Sequence, residues 1–432
     1  MMLTSMSVPL LGLVDTALLG HLDGARYLAA VAIGANVIGL LYWSFGFLRM
    51  GTTSLVAQSL GKTGRIGKTN AGRSPDPNRE IDGIMFRAML IAAALGLAIT
   101  VFTPLLLDWI VQLMNASADA GALAAEYIRI RVFSAPAALV TYVISGWLVG
   151  TQRAKGALAL VLTSNLVNIV LDAWFILALG MKSEGAALAS VMAEYCSLGL
   201  GLFIAFRYTR IFNIRRWRGW LVLSDFYQTM RMNYHLLMRT LLLLFALNFF
   251  TAQGAALGDN ILAANAILLQ LALLSAYVMD GFSYAAEALC GESAGRKQVQ
   301  SFHRYASICG GWILVAAMLF TVGYLFAGSY IVASFTDVSD IRLTAQPYLC
   351  WLVVMPLAGG LAYLLDGVFI GAGESQVMHL SMWFSVVVIF LPLWWLSQGW
   401  GNHGLWLAFV LFNLARGLSL AAYYPGLLKR LG

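Results

Sequence analysis

Apolar runs, most of them long enough to cross a bilayer as a helix, follow one another along almost the whole chain, separated by short polar stretches. A helix needs about 20 apolar residues to span the hydrocarbon of a bilayer. The runs predict spans near 1–22, 28–58, 84–112, 126–150, 158–180, 185–208, 234–257, 261–290, 305–333, 343–371, 377–397 and 404–427. Lipid offers the backbone no hydrogen bonds, so only helices and closed barrels cross it. Barrel strands read as short alternating segments, whereas these runs are long and continuous. The expected fold is an all-α membrane protein of about twelve transmembrane helices. Longer polar connections fall at 59–83, 209–233 and 291–304, the first carrying the loop signal Ser74-Pro75-Asp76-Pro77-Asn78.

The apolar pattern also repeats. Leu28-Ala29-Ala30-Val31-Ala32-Ile33 matches Leu262-Ala263-Ala264-Asn265-Ala266-Ile267, and Gly46, Phe47 and Gly61 match Gly281, Phe282 and Gly295. Tyr142, Gly146 and Gly150 match Tyr363, Gly367 and Gly371, and Gly185 to Ala189 echoes Gly404 to Ala408. Each offset is about half the chain, which is six spans, so the two halves keep one membrane orientation. The expectation is two six-helix parallel-repeat bundles, an N-terminal lobe 1–208 and a C-terminal lobe 234–432, joined by a cytoplasmic linker 209–233. Transporters use such repeats to rock two bundles about a midplane site.

Charge then sets orientation. Connections after even-numbered spans, with the C-terminus, carry 17 basic residues, among them Arg65, Arg153, Arg215, Arg216 and Lys297; connections after odd-numbered spans carry 3, Arg26, Lys182 and Arg342. The positive-inside rule puts the even connections and both termini in the cytoplasm. The net charge of +7 is therefore expected to reflect topology, with no nucleic-acid partner. Only 11% of residues are charged, against about 25% in soluble domains. Cys196, Cys290, Cys309 and Cys350 all lie in apolar spans without metal-ligand spacing. No basic lead precedes the first span, so no cleavable signal is expected. The five histidines are scattered, so neither an enzyme's nucleophile or metal cluster nor a cofactor is expected. Gly67-Lys68-Thr69 lacks the partner glycine of a phosphate loop, since position 62 is Lys62. Energy must come from an ion gradient or a separate subunit.

Ionisable residues inside spans are costly and mark function or helix contacts. Asp15, Arg49, Asp172, Glu194, Asp280, Glu287 and Asp366 stand out. At 1.5 Å rise per residue, Asp15, Asp172 and Glu194 share a depth about 10–14 Å below the outer face. Asn165, Asn168 and Asp172 fall on one helical face, as do Ser190, Glu194 and Ser197. Asn165, Ser190 and Glu194 are candidates for a cavity lining. Pro9 and Gly12 predict a bend just before Asp15. Asp280, Glu287 and Asp366 lie toward the cytoplasm, as second-lobe candidates for a structural or gating role.

The stretch Pro9-Leu10-Leu11-Gly12-Leu13-Val14-Asp15-Thr16-Ala17-Leu18-Leu19-Gly20-His21-Leu22 resembles the MATE (multidrug and toxic compound extrusion) family of transporters, in its DinF-like branch. Phe47 to Thr53, Ser134 to Pro136, Gly146 to Gly150, Asn168 to Asp172 and Gly185 to Tyr195 carry the same resemblance. It implies a two-lobed, V-shaped, twelve-helix exporter of the cytoplasmic (inner) membrane, acting as a monomer. It implies antiport of small organic, cationic or neutral amphipathic drugs against H⁺ or Na⁺. Asp15, Asn168 and Asp172 match the family's cation-coupling residues, which would hold Na⁺ where that is the ion, and Ser190 its helix-six hydroxyl. Leu11 stands where some relatives have a tyrosine, and the seventh span lacks the acid of Na⁺-coupled relatives, with Asn248 as its most polar interior side chain. The alternatives are a lipid-linked precursor flippase of the same superfamily, which needs several basic cavity residues, and a membrane protein that transports nothing.

The charge split yields a direct test: an engineered Ser224→Cys in the 209–233 connection should resist a membrane-impermeant thiol reagent in intact cells and react after permeabilisation, and labelling from outside would reverse the topology.

Overall fold

A computed structural model describes residues 25–69, 77–113, 118–211, 213, 217 and 219–432. Among them, eleven helices are long and apolar enough to cross a membrane, and no strand occurs. The first expected span, with Pro9, Gly12 and Asp15, lies outside the described residues. In chain order the α-helices are α1 Ala25–Ser44, α2 Phe47–Thr69, α3 Pro77–Leu113, α4 Ala118–Arg131, α5 Ala135–Gly150, α6 Ala154–Asp172 and α7 Ser183–Tyr208. They continue as α8 Leu223–Ala256, α9 Asp259–Gly295, α10 Val299–Phe335, α11 Ser339–Ala345, α12 Leu349–Ala372, α13 Ser375–Trp383, α14 Leu391–Leu396 and α15 Asn402–Leu431.

The chain forms two compact units. The described part of one comprises residues 25–56 and 77–230; that of the other comprises 57–69 and 231–432. The division runs through α2, whose second part belongs with the C-terminal helices. It also runs through α8, which starts at Leu223 inside the expected linker. Described residues of that linker pack on α3 within the N-terminal unit. Trp220 is buried against Phe86, their rings 5.6 Å apart. Arg87 donates to the Trp220 carbonyl at 3.3 Å and pairs with Asp225 at 3.1 Å. The backbone N–H of Arg210 donates to Asp82 at 3.1 Å. Arg210, Trp220 and Asp225 of the expected linker are thus docked on α3, where Asp82 and Arg87 offer them charges.

The repeat is visible in how the helices break. The fourth and tenth spans are each two helices joined by a 3-10 turn, Val132–Ser134 and Gln346–Tyr348. Pro136 follows the first turn and Pro347 lies within the second. Proline has no N–H to donate and clashes with the carbonyl one turn back, so the helix resets there. The fifth and eleventh spans each pass into a π-helical stretch, Ala173–Ala178 and Phe384–Phe390. Matching interruptions in matching spans support two parallel copies of one six-helix plan.

In the C-terminal unit, the core around Phe250, Phe390, Trp406, Phe409 and Phe412 is aromatic, with the Phe250 ring 4.9 Å from Trp406 and 4.8 Å from Phe409. Beside it Asn265 and Asn402 exchange amide hydrogen bonds of 2.7 and 2.9 Å, and Trp406 Nε1 donates to Asn265 at 2.8 Å. This closed polar set ties α9 to α15, since buried amides must find partners. The second part of α2 docks by backbone contact. A Cβ on Gly61 would press on the Glu292 carbonyl, and one on Gly295 would press on the Gln58 carbonyl. These are the two glycines matched in the repeat, each facing the residue three positions before the other. Gln58 Nε2 also donates to the Gly371 carbonyl at 2.9 Å. Small residues let membrane helices approach this closely.

Gly61→Leu should therefore lower the melting temperature of the purified protein in detergent, at about 1–3 kcal/mol for an overpacked contact. Gly39→Leu is the control, since nothing lies within 4 Å of a Cβ there, and it should melt as the parent does.

Candidate cation-coupling site

The N-terminal unit brings the expected stripes of α6 and α7 face to face. Asn168 and Asp172 lie one helical turn apart on α6, 1% and 0% exposed. Asp172 is the last α-helical residue before the π stretch. Such a change of winding re-aims the side chains beside it and often accompanies function. The Nδ2 of Asn168 donates to Ser190 Oγ of α7 at 3.1 Å. That bond leaves Asn168 Oδ1 aimed into the interior with no donor among the described residues. Asn165 is half-buried on the preceding turn. Ser197 bonds to the Leu160 carbonyl at 3.0 Å, a plain cross-tie between the helices.

Oxygen atoms of a buried amide and a carboxylate one turn apart suit a hard cation, which takes oxygen ligands. The unclaimed Asn168 Oδ1 fits such an ion. The same oxygen suits a hydrogen bond from a protonated carboxyl.

Glu194 does not join this pair as a free acid. Its Oε1 lies 3.9 Å from Arg131 Nη2 at the end of α4. The Arg131 guanidinium also sits 5.5 Å from the Tyr42 ring centre and donates to Ser134. Tyr42 and Ser134 share a 2.7 Å hydrogen bond. The cavity candidate Glu194 therefore belongs to a charge-balanced set linking α1, α4 and α7.

In the C-terminal unit Asp366 of α12 is 7% exposed. Its Oδ2 accepts from Arg416 of α15 at 2.8 Å and from Arg239 of α8. Arg416 also donates to Asn413 at 3.1 Å. Asp280 is half-buried and within electrostatic reach of Tyr363 and Tyr277, while Glu287 is fully buried on the same helix. Weighing the membrane acids alone misses Arg131, Arg239 and Arg416. The signal for two of them is in the chain: Arg239 interrupts the apolar run Leu236 to Phe250, and Arg416 sits between Leu414 and Leu418. At these places the acids of the interior face arginine, Glu194 one and Asp366 two.

With this geometry stands the sequence comparison: the MatE family profile matches residues 1–72, 76–174 and 236–396. The chain belongs to the MATE family. It is 37% identical over 98% of its length to DNA damage-inducible protein F of Escherichia coli (strain K12), covering 90% of that protein. It is 25% identical to human multidrug and toxin extrusion protein 1, over 98% of this chain and 72% of the relative. The fold matches an outward-facing multidrug resistance MATE family transporter of the MOP superfamily with TM-score 0.85 at 21% identity, over 100% of this chain and 94% of that one. MATE proteins are transporters, and this one is a multi-pass membrane protein whose relatives include multidrug extrusion proteins.

The ion pairs make a stability prediction. Asp366→Asn leaves two buried guanidiniums facing a neutral amide and should destabilise the protein by about 3–5 kcal/mol. Ser197→Ala removes one interhelical hydrogen bond and should cost only about 1 kcal/mol. Thermal melting of both variants in detergent measures the difference.

Proposed function

We propose that this MATE protein exports small organic compounds, cationic or neutral and amphipathic, from the cytoplasm across the inner membrane in exchange for H⁺ or Na⁺. Both termini are cytoplasmic in this reading, from the distribution of basic residues. The observation that carries it is the buried pair Asn168 and Asp172, with an amide oxygen left unclaimed beside a carboxylate. Asp15, in the first span and expected at the same depth, completes the cation-coupling set. Ser190 fixes the Asn168 amide so that its oxygen faces the ion.

A carboxylate away from water is costly when charged. A proton or Na⁺ arriving from outside neutralises it and favours one arrangement of the surrounding helices. Release of the ion inside restores the charge and the other arrangement. A transporter alternates only because its ligands bind its two states unequally, and one acid that gains and loses a cation supplies that inequality. The expected bend at Pro9 and Gly12 is the element through which Asp15 acts. In this reading the organic cargo occupies the pocket when the acids are charged, which favours cationic over anionic cargo.

The flippase alternative is weaker. It needs unpaired basic residues to hold a pyrophosphate, whereas Arg131, Arg239 and Arg416 each face an acid.

Transport by purified protein in liposomes decides the matter. Drug efflux driven by an imposed pH or Na⁺ gradient should fall to the background without a gradient in Asp172→Asn and in Asp15→Asn, both of which fix the neutral form. Wild-type efflux rates in either variant would reject the mechanism.

A further inference from the structure

We propose that Arg239 and Arg416 are built-in counter-cations of Asp366, occupying the place an exchangeable cation would take and removing this acid from ion exchange. The inference rests on cation-coupled transport for this protein and says which buried acid is silent in it.

A carboxylate oxygen offers two lone-pair directions. On Asp366 Oδ2 both are used, one by Arg416 at 2.8 Å and one by Arg239. The two guanidiniums have little room to move away. Both residues are buried, at 5% exposure for Arg239 and 3% for Arg416. Arg416 is held by Asn413 at 3.1 Å and lies 5.5 Å from the Phe412 ring centre. The two arginines come from different helices, α8 and α15, so no single rotamer change clears the acid.

An incoming Na⁺ would have to displace two positive groups, and inside the protein their repulsion is screened far less than in water. Arginine does not lose its proton in proteins, so this positive charge is permanent, unlike a bound ion. Asn168 and Asp172 differ in kind: there an amide oxygen remains without a donor among the described residues. The repeat points the same way. Tyr363 and Gly367 match Tyr142 and Gly146, which sets Asp366 opposite Ser145. The acid and its arginines are thus an addition to one half.

Carbodiimide labelling tests this, because dicyclohexylcarbodiimide adds to a carboxyl group that has taken up a proton. Purified wild-type protein in detergent is treated across a pH series with and without Na⁺, and modified peptides are mapped by mass spectrometry. Asp366 should stay unmodified throughout. In Arg239→Gln/Arg416→Gln it should become modified, and that protein should show a gain in radiolabelled Na⁺ binding or in proton uptake. The gain should vanish when Asp366→Asn is added. Modification of Asp366 in the wild type, suppressed by Na⁺, would overturn the proposal. So would a folded double variant in which Asp366 stays unmodified and no cation uptake is gained. Should the double variant fail to fold, the wild-type labelling decides alone. The coupling reading fails on a different signal, the absence of any cation-protected labelling at Asp172, which is read on a separate peptide from Asp366.

Discussion

Hydrocarbon has no partner to give a charge or a backbone amide, and the arrangement of this protein follows from that one deficit. A charged side chain inside a span must find its complement in the protein. Arg131 with Glu194, and Arg239 and Arg416 with Asp366, are described cases, and Arg87 with Asp225 adds one near the start of α3. Each pair joins helices distant in sequence, so satisfying charge also fixes which helices are neighbours. Such pairs add little net stability over a well-packed apolar contact, because desolvation offsets the attraction. Their force is in what they forbid: any packing that separates the partners strands a charge.

The backbone faces the same deficit. A membrane helix tolerates a break only where the freed groups are satisfied again. The breaks here sit in matching spans of the two halves, at prolines in the fourth and tenth and at π stretches in the fifth and eleventh. The glycine contact of α2 with α9 answers the constraint from another side. With no side chain at Gly61 or Gly295, two already satisfied helices pack backbone to backbone.

The same constraint decides what is legible in the sequence. Spans are legible because hydropathy is a sum over about twenty residues and survives local irregularity. The repeat is legible because its glycines mark close approaches that no other residue permits. Helical periodicity puts Asn168 and Asp172 on one polar face and Ser190 on the polar face of another helix, and the Asn168–Ser190 hydrogen bond joins the two. The docking of Trp220 and Asp225 on α3 is not legible, since a polar connection looks alike whether it is solvated or packed. The partners of Glu194 and Asp366 are hidden for a different reason. Periodicity says which face a residue occupies but not which distant helix meets that face, and a count of basic residues in the connections leaves out the arginines within the spans.

The two halves share a scaffold but differ in chemistry. The residue just before each π stretch is Asp172 in the fifth span and Trp383 in the eleventh. One turn earlier stand Asn168 and His379. Asp366 in turn has Ser145 as its counterpart. A duplicated frame thus carries its acids at unmatched positions, one beside an unclaimed amide oxygen and the other clasped by two arginines. On the coupling proposed above, equivalent exchangeable acids in both halves would let one cation exchange in either half without obliging the other to respond. Confining exchange to one half would, on that coupling, let a single ion-binding event bias the frame, while the paired charges of the other half fix which of its helices are neighbours.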